Sequence, residues 1–380
     1  MQIDRPDFIK DVETSIRNNP VTAIMGPRQC GKTTLARAIA RSNESNIFDL
    51  EDPADYELLS GTPKLILQQQ KGLVVLDEIQ RIPELFPLLR VLADEPDSGR
   101  RFLILGSASP DLIQKSSESL AGRIGFINLS GFNVHEVGID NLEKLWLRGG
   151  FPRSFLGTDD AQSFSWREDF IQTFLERDIS NYGFNIPHVT LRRFWLMLAH
   201  YHGQIWNGAE FARAMGVSEP TVKRYLDILT GTYMIRQLQP WHENLKKRQV
   251  KSPKVYIRDS GVLHALLGVE GTGIYAHLKS GASWEGFIIE QLISKLKSRD
   301  FYYWRTHTGT ELDLLVLKGG KRLGFEIKLS ETPKISRSML SAFDDLQLDR
   351  LYLIYSGHRE FLLDENILAV PASRICELDF

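Results

Sequence analysis

Short apolar runs alternate with helical spacing over the first third of the chain. "VTAIMG" (21–26), "LVVLDE" (73–78) and "RFLILGSA" (101–108) are rich in Val, Ile and Leu, the pattern of strands buried on both faces. The stretches between them space apolar residues three and four apart, so they read as helices. The layout to about residue 130 is that of a doubly wound, parallel α/β sheet. From about 132 to 240 strand-like runs give way to helical spacing, as in "EDFIQTFLERDI" (168–179) and "LRRFWLMLAHYH" (191–202). Strand patterns return in "PKVYIRD", "FYYWRT", "ELDLLVLK", "RLGFEIKL" and "RLYLIYS", with a helix at "WEGFIIEQLISKLKS". The polar stretch "ENLKKRQVKSP" (243–253) reads as a linker. These breaks divide the chain into 1–131, 132–242 and 243–380, the last a smaller α/β domain.

Bulk properties narrow this picture only a little. At 380 residues, two or three domains are expected, at roughly 150 residues each. Lys+Arg 46 against Asp+Glu 48 excludes a polycationic binder but leaves room for a local basic face. No run approaches the ~18 apolar residues of a spanning helix. The charged start "MQIDRPDFIK" lacks the core of a signal peptide, and Cys30 and Cys376 form no disulfide framework, so a reducing cytoplasm is expected. His200 and His202 lie two apart on a helical pattern and so on different faces, which argues against a zinc site.

The sharpest chemistry is "GPRQCGKTT", which fits G-x-x-x-x-G-K-[ST] between an apolar strand and a helix. Glycines let the backbone wrap phosphates, and N–H groups at the helix start point at them. Gly26, Pro27, Arg28, Gln29, Cys30, Gly31, Lys32, Thr33 and Thr34 are therefore the expected nucleotide contacts. Lys32 would reach the β- and γ-phosphates and Thr33 would ligate Mg²⁺. Cys30 reads as a small packing residue. Asp77 and Glu78 close the next apolar strand at its carboxyl end, where ligands of open α/β sheets bind. Asp77 would hold the ATP-bound Mg²⁺ and Glu78 would polarise the attacking water. Ser107, at the end of the following strand, orients that water or senses the γ-phosphate, or else caps a turn. Arg123, with Arg148 and Arg153 behind it, is the first candidate for an arginine finger.

In the middle region, "IWNGAEFARAMGVSEPTVKRYLDILTGTYMIRQLQPW" has the outline of a winged helix-turn-helix. Ser218 would cap a second helix with Pro220 in its first turn, where a missing N–H costs nothing. If that helix enters a DNA groove, Thr221, Lys223 and Arg224 are its contacts. Docking of a protein is the alternative use. Lys246, Lys247, Arg248, Lys251 and Lys254 suit phosphate contact or a solvated linker.

Near the C-terminus, Gly319-Gly320 between alternating apolar positions predicts a two-residue hairpin turn. That register sets Asp313 opposite Glu326 and Glu311 opposite Lys328, with Leu312, Leu314 and Val316 on the other face. Opposed carboxylates repel, and a hard divalent cation would relieve this. A solvated face with Lys328 paired to Glu311 is the plainer alternative.

Taken in order, "GPRQCGKTT", "LVVLDEIQRIP", "LGSASPDL", "LAGRIGFINLSGF" and "RGGFP" resemble the P-loop ATPases of the AAA+/STAND group over nearly the whole chain. The nearest branch is a bacterial and archaeal family carrying an uncharacterised C-terminal domain. That resemblance implies an ATPase working as a homo-oligomer, a ring among the options, and implies that Gly150–Pro152 forms part of a lid. The D…ExK arrangement of Asp313, Glu326 and Lys328 resembles the PD-(D/E)xK nucleases, although Glu311 and Leu312 precede Asp313 where that family often has proline. This second resemblance implies a further acid on the preceding helix, Glu285 ahead of Glu290, completing a Mg²⁺ site. Together they imply an ATP- and Mg²⁺-dependent ATPase acting on DNA, branched or recombining DNA included. A nucleotide switch for a protein partner and an ATP-licensed nuclease are the other expectations.

Overall fold

Five strands form one parallel sheet in the N-terminal part: β1 (Val21–Gly26), β2 (Ser45–Asp49), β3 (Leu73–Asp77), β4 (Arg101–Ser107) and β5 (Ile124–Asn128), in the order β2-β3-β4-β1-β5. The computed structural model describes residues 3–95, 99–107, 119–181, 184, 186–243 and 248–378. They fall into two compact units, Met1–Gly131 with Gly231–Tyr233, and Phe132–Thr230 with Met234–Phe380. Strand β1 lies between β4 and β5 with all six residues buried. Its Val21, Ala23 and Met25 share a core with Val74, Leu76, Phe102 and Ile104, and with Leu85, Phe86 and Leu89 of the helix Leu85–Ala93. Each such side chain taken fully from water contributes about 1.5–3 kcal/mol. The edge strands β2 and β5 are partly exposed and mixed in composition, so their apolar pattern is weak.

The second unit holds two sheets. β6 (Gln204–Ile205), β7 (Ile235–Leu238) and β8 (Lys254–Ile257) form an antiparallel sheet ordered β6-β8-β7. It accompanies the helices His188–His200, Gly208–Met215 and Glu219–Gly231. β9 (Phe301–Arg305), β10 (Glu311–Lys318), β11 (Lys321–Lys328), β12 (Arg350–Tyr355), β13 (Phe361–Asp364) and β14 (Ile367–Pro371) form a mixed sheet ordered β13-β14-β12-β11-β10-β9. "PKVYIRD" thus pairs with the middle region, not with the terminal sheet where its position in the sequence puts it. The linker expectation also changes. Tyr303 in β9 donates its N–H to Gln239 O (3.0 Å) and accepts from Trp241 N–H (2.7 Å), and Val250 N–H donates to Arg305 O (2.9 Å). An edge strand with open hydrogen-bonding groups has been covered by this segment.

The β10–β11 hairpin has the expected register from Lys318 opposite Lys321 to Leu314 opposite Phe325, and the pairing stops short of the expected Asp313–Glu326 and Glu311–Lys328 pairs. Gly319 (φ 59°) and Gly320 (φ 79°) are both left-handed, as a tight two-residue turn requires. The faces differ from the sequence expectation. An irregularity in the β10–β9 pairing between Leu312 and Leu315 puts Leu312 with Leu315, against Met339, Ala342 and Leu346 of the helix Arg337–Leu346. Both faces of β10 are covered, so residues 312–316 are all buried and no solvated polar face exists there. Among the described residues no helix is long and apolar enough to cross a membrane.

Two buried histidines tie the second unit together. The helix carrying His200 ends at that residue, and His202 lies beyond it. His202 Nδ1 accepts from Ile257 N–H (3.0 Å) and Nε2 faces Ala282 O (3.1 Å). His264 Nδ1 faces Leu147 O (3.2 Å), and its Nε2 meets Ser283 Oγ (2.7 Å), which accepts from Trp146 Nε1–H (3.0 Å). Burial drives both imidazoles down to about 3, so they are neutral. A folded-state value below the unfolded one means full stability above pH ~6.5, lost progressively as pH falls toward the folded value. Two such groups give a slope approaching about 2.7 kcal/mol per pH unit near pH 5.5. Urea unfolding followed by tryptophan fluorescence between pH 7 and 5.5 reads this slope, and His264→Gln is expected to reduce it by about half.

Candidate functional site

In the first unit the phosphate-loop and acidic motifs meet at the carboxyl end of the sheet. β1 ends at Gly26 and helix α1 (Lys32–Arg41) starts six residues later, its first turn lying against β3. A Cβ at Gly26 would come within 2.1 Å of Leu129 O, so only glycine fits there. Lys32 is buried, and its Nζ donates to Gly26 O (3.0 Å) and Pro27 O (2.9 Å), folding the ammonium across the loop. Thr33 Oγ1 donates to Asp77 Oδ2 at 2.6 Å, while Asp77 Oδ1 accepts from Glu78 N–H (2.9 Å). Burial raises the Asp77 carboxyl, opposed by the Thr33 hydroxyl; burial also raises Glu78, opposed by Lys32. Gln29 (φ 61°) and Glu78 (φ 54°) hold left-handed backbone, which non-glycine residues adopt at a cost of ~1–3 kcal/mol and mostly at functional sites.

The site has support that motif reading missed. Arg5, the residue before the helix Pro6–Asn18, is buried and donates to Cys30 O (3.2 Å), Ser130 O (3.1 Å) and Gly131 O (3.1 Å). It clamps the base of the loop, and nothing in its sequence context distinguishes it from a surface arginine. Cys30 is fully buried, as a packing residue should be. Gln80 donates to Glu78 Oε2, and Arg28 pairs with Glu51 (3.3 Å). Ser107 ends β4, but its side chain lies outside the described residues. Arg123 makes a two-pronged pair with Asp94 (2.5 and 2.9 Å) at the surface. Arg148 pairs with Asp160 (2.7 Å), and Arg153 is exposed. In the "RGGFP" turn, Gly150 N–H donates to Asp259 Oδ2 (2.7 Å), which gives this stretch an anchoring role inside the second unit.

In the helix–turn–helix stretch, Ser218 Oγ faces Thr221 N–H (3.4 Å) and lies 2.8 Å from Thr221 Oγ1. Thr221 is thus half-buried in the cap, whereas Lys223 and Arg224 are exposed. Of the basic run, Lys246 and Lys247 lie outside the described residues, and Arg248 and Lys251 are exposed. Lys254 departs from expectation: it is 3% exposed and faces inward.

Lys254 projects from β8 into the acidic cluster of the terminal hairpin. Its Nζ lies 3.2 Å from Glu285 Oε1 and 3.8 Å from Asp313 Oδ1, and it pairs with Glu311 Oε1. Glu285 Oε1 also accepts from the Tyr256 hydroxyl (2.5 Å), and Arg305 pairs with Glu311 (3.2 Å). Asp313 Oδ2 accepts from Ile327 N–H (2.9 Å), and Lys328 Nζ pairs with Glu326 Oε1 (2.8 Å). The plainer expectation of a Lys328–Glu311 pair therefore gives way to Lys328–Glu326 and Lys254–Glu311. Burial and the charges of Glu326 and Glu285 push Asp313 well above the carboxylate range. Burial would lower the Lys254 ammonium, but Glu285, Tyr256, Asp313 and Glu311 outweigh it and keep it charged.

So Glu285, Asp313, Glu326 and Lys328 do converge, yet the arrangement does not fit the divalent ion expected there. An ammonium sits against three of the carboxylates, and with it in place no three acidic, His or Cys side chains among the described residues are disposed to hold a metal. Glu290 is spent elsewhere. Burial would raise it, but Arg236 and Arg258 hold it at about 2.

The comparisons with known proteins agree with this geometry where they reach it. Residues 18–138 match a family model described as an AAA domain, and 139–273 and 280–375 match two domains of unknown function, DUF8612 and DUF4143. The Walker-type ATPase PABY2304 of Pyrococcus abyssi is a structural neighbour at TM-score 0.50 and 16% identity, over 70% of this chain and 96% of that one, a likeness of fold. Two uncharacterized proteins, Mb2031c of Mycobacterium bovis and Rv2008c of Mycobacterium tuberculosis, are each 50% identical over 376 residues, covering 99% of this chain and 85% of theirs. The chain belongs to the family of these two mycobacterial proteins and carries an AAA-type P-loop ATPase fold at its N-terminal end.

Proposed function

We propose that the protein binds ATP with Mg²⁺, hydrolyses it, and uses the turnover to act on DNA within a homo-oligomer, in the cytoplasm. The observation that carries the ATPase half is the meeting of Lys32, Thr33, Asp77 and Glu78 at one end of the sheet, with Thr33 Oγ1 2.6 Å from Asp77. This hydroxyl–carboxylate pair supplies the hard oxygen donors Mg²⁺ takes, and the ion would neutralise charge developing on the phosphate oxygens. Lys32, bonded here to two loop carbonyls, has the reach to exchange them for phosphate oxygens. Glu78, raised by burial, is suited to accept a proton from the attacking water.

The DNA half is supported by Lys223 and Arg224, exposed on the second helix of a helix–turn–helix that is followed by the antiparallel pair β7–β8. That is the element a winged helix lays in a groove. For the oligomer, Arg123 is the candidate finger. Its pair with Asp94 lies at the surface, where solvent screens it, so a nucleotide in a neighbouring copy could compete for it. A second reading, a nucleotide switch for a protein partner with a non-cutting terminal domain, draws support from the ammonium in the acidic cluster.

Fluorescent-nucleotide titration and phosphate release test the first half. Lys32→Ala is expected to weaken binding at least about tenfold. Glu78→Gln should bind normally but turn over about 10²–10⁴-fold slower. Equal loss of binding in both variants would contradict these roles. For the DNA half, Lys223→Glu/Arg224→Glu should weaken duplex binding and flatten the salt dependence by about two phosphate contacts. Absence of DNA binding by the unaltered protein at low salt removes this half and leaves the ATPase standing.

A further inference from the structure

The cluster formed by Glu285, Glu311, Asp313 and Glu326 crowds four acidic side chains together. They face Lys254, Lys328 and Arg305. Asp313 and Glu326 are 5% and 7% exposed, and Glu326 Oε2 is buried with no hydrogen-bond partner among the described residues. An unsatisfied buried carboxylate oxygen costs more than most native cores tolerate, so the site is made for a cation. The cation present is the chain's own. Lys254 Nζ is held by Glu285, Glu311 and Asp313 from three directions and lies 5.7 Å from the centre of the Tyr303 ring, itself fully buried.

Lys254 reaches this position because β8 belongs to the β6-β8-β7 sheet while its first side chain points at the β10–β11 hairpin. Removing one partner from such a cluster leaves like charges facing one another without water. A hard divalent ion is the other species that satisfies several carboxylates at once.

We propose that the Lys254 ammonium is the built-in counter-ion of this cluster, standing where a divalent metal would bind, and that removing it converts the cluster into a hard divalent-cation site. The inference is independent of the DNA reading and of the phosphate loop.

The test titrates metal-stripped, nucleotide-free full-length protein with Mn²⁺, counting bound ion by electron paramagnetic resonance and following Tm in parallel. The unaltered protein is expected to show no Mn²⁺ site that depends on Asp313. Lys254→Met, of similar length and neutral, is expected to gain one Mn²⁺ per chain. Its Tm should fall without metal and recover with Mn²⁺, and both effects should vanish in Lys254→Met/Asp313→Asn. Lys254→Gln repeats the test if the methionine variant does not fold. Mn²⁺ binding by the unaltered protein that is lost in Asp313→Asn overturns the proposal without any need of a Lys254 variant. So does a folded Lys254→Met or Lys254→Gln that takes up no Mn²⁺.

Discussion

A carboxylate taken out of water needs a donor or cation within hydrogen-bond distance, and both units of this protein are arranged around that constraint. In the first, Asp77 is buried at the end of β3 and takes its bonds from the Thr33 hydroxyl and the Glu78 amide. That bond joins the phosphate loop to the acidic strand 44 residues on, and gathers these side chains at the carboxyl end of the sheet. In the second, Asp313 and Glu326 are buried on a hairpin covered on both faces, and their partners come from β8 and from Lys328. The same electrostatic demand yields two different outcomes. One site keeps its lysine folded back on loop carbonyls, where phosphate can displace them. The other holds its lysine in a ring of carboxylates.

The difference bears on function. Lys32 donates its two hydrogen bonds to neutral backbone oxygens, which an anionic ligand can outcompete. Lys254 makes charge-assisted contacts to three acids in a buried setting, which are stronger and harder to exchange. An ATPase fold with its phosphate loop is therefore joined in one chain to a terminal domain whose acidic cluster is held by the chain's own lysine. The Glu290–Arg236–Arg258 group stiffens the join between β7, β8 and the helix Ser280–Leu296 that carries Glu285. Glu290 is held by both arginines and takes no part in the acidic cluster around Lys254.

Much of this was legible in the sequence, and the parts that were not share a cause. The phosphate loop, Asp77 and the central strands were readable because apolar runs and a glycine-rich motif are local signals. The hairpin register was readable because Gly319-Gly320 admits few turn types. The edge strands β2 and β5 escaped because their residues are half-exposed and mixed. The faces of β10 were misassigned because one irregularity between Leu312 and Leu315 reverses the alternation, and nothing in the residues announces it. Lys254 reads in the sequence as part of a basic run for phosphate contact or a solvated linker because its acidic partners lie 31 residues or more away. Arg5 was invisible for the same reason, holding Cys30 and Ser130 across 25 and 125 residues. Long-range charge pairing leaves no local trace.

The central claim is that the Thr33–Asp77–Glu78 arrangement is a working hydrolytic site. It is tested most directly by measuring phosphate release from ATP by the purified full-length chain, with Mg²⁺ and with EDTA in its place. The account predicts turnover that requires Mg²⁺ and stops in EDTA while nucleotide remains bound. Tight ATP binding with no phosphate release under either condition, with or without DNA present, would contradict it.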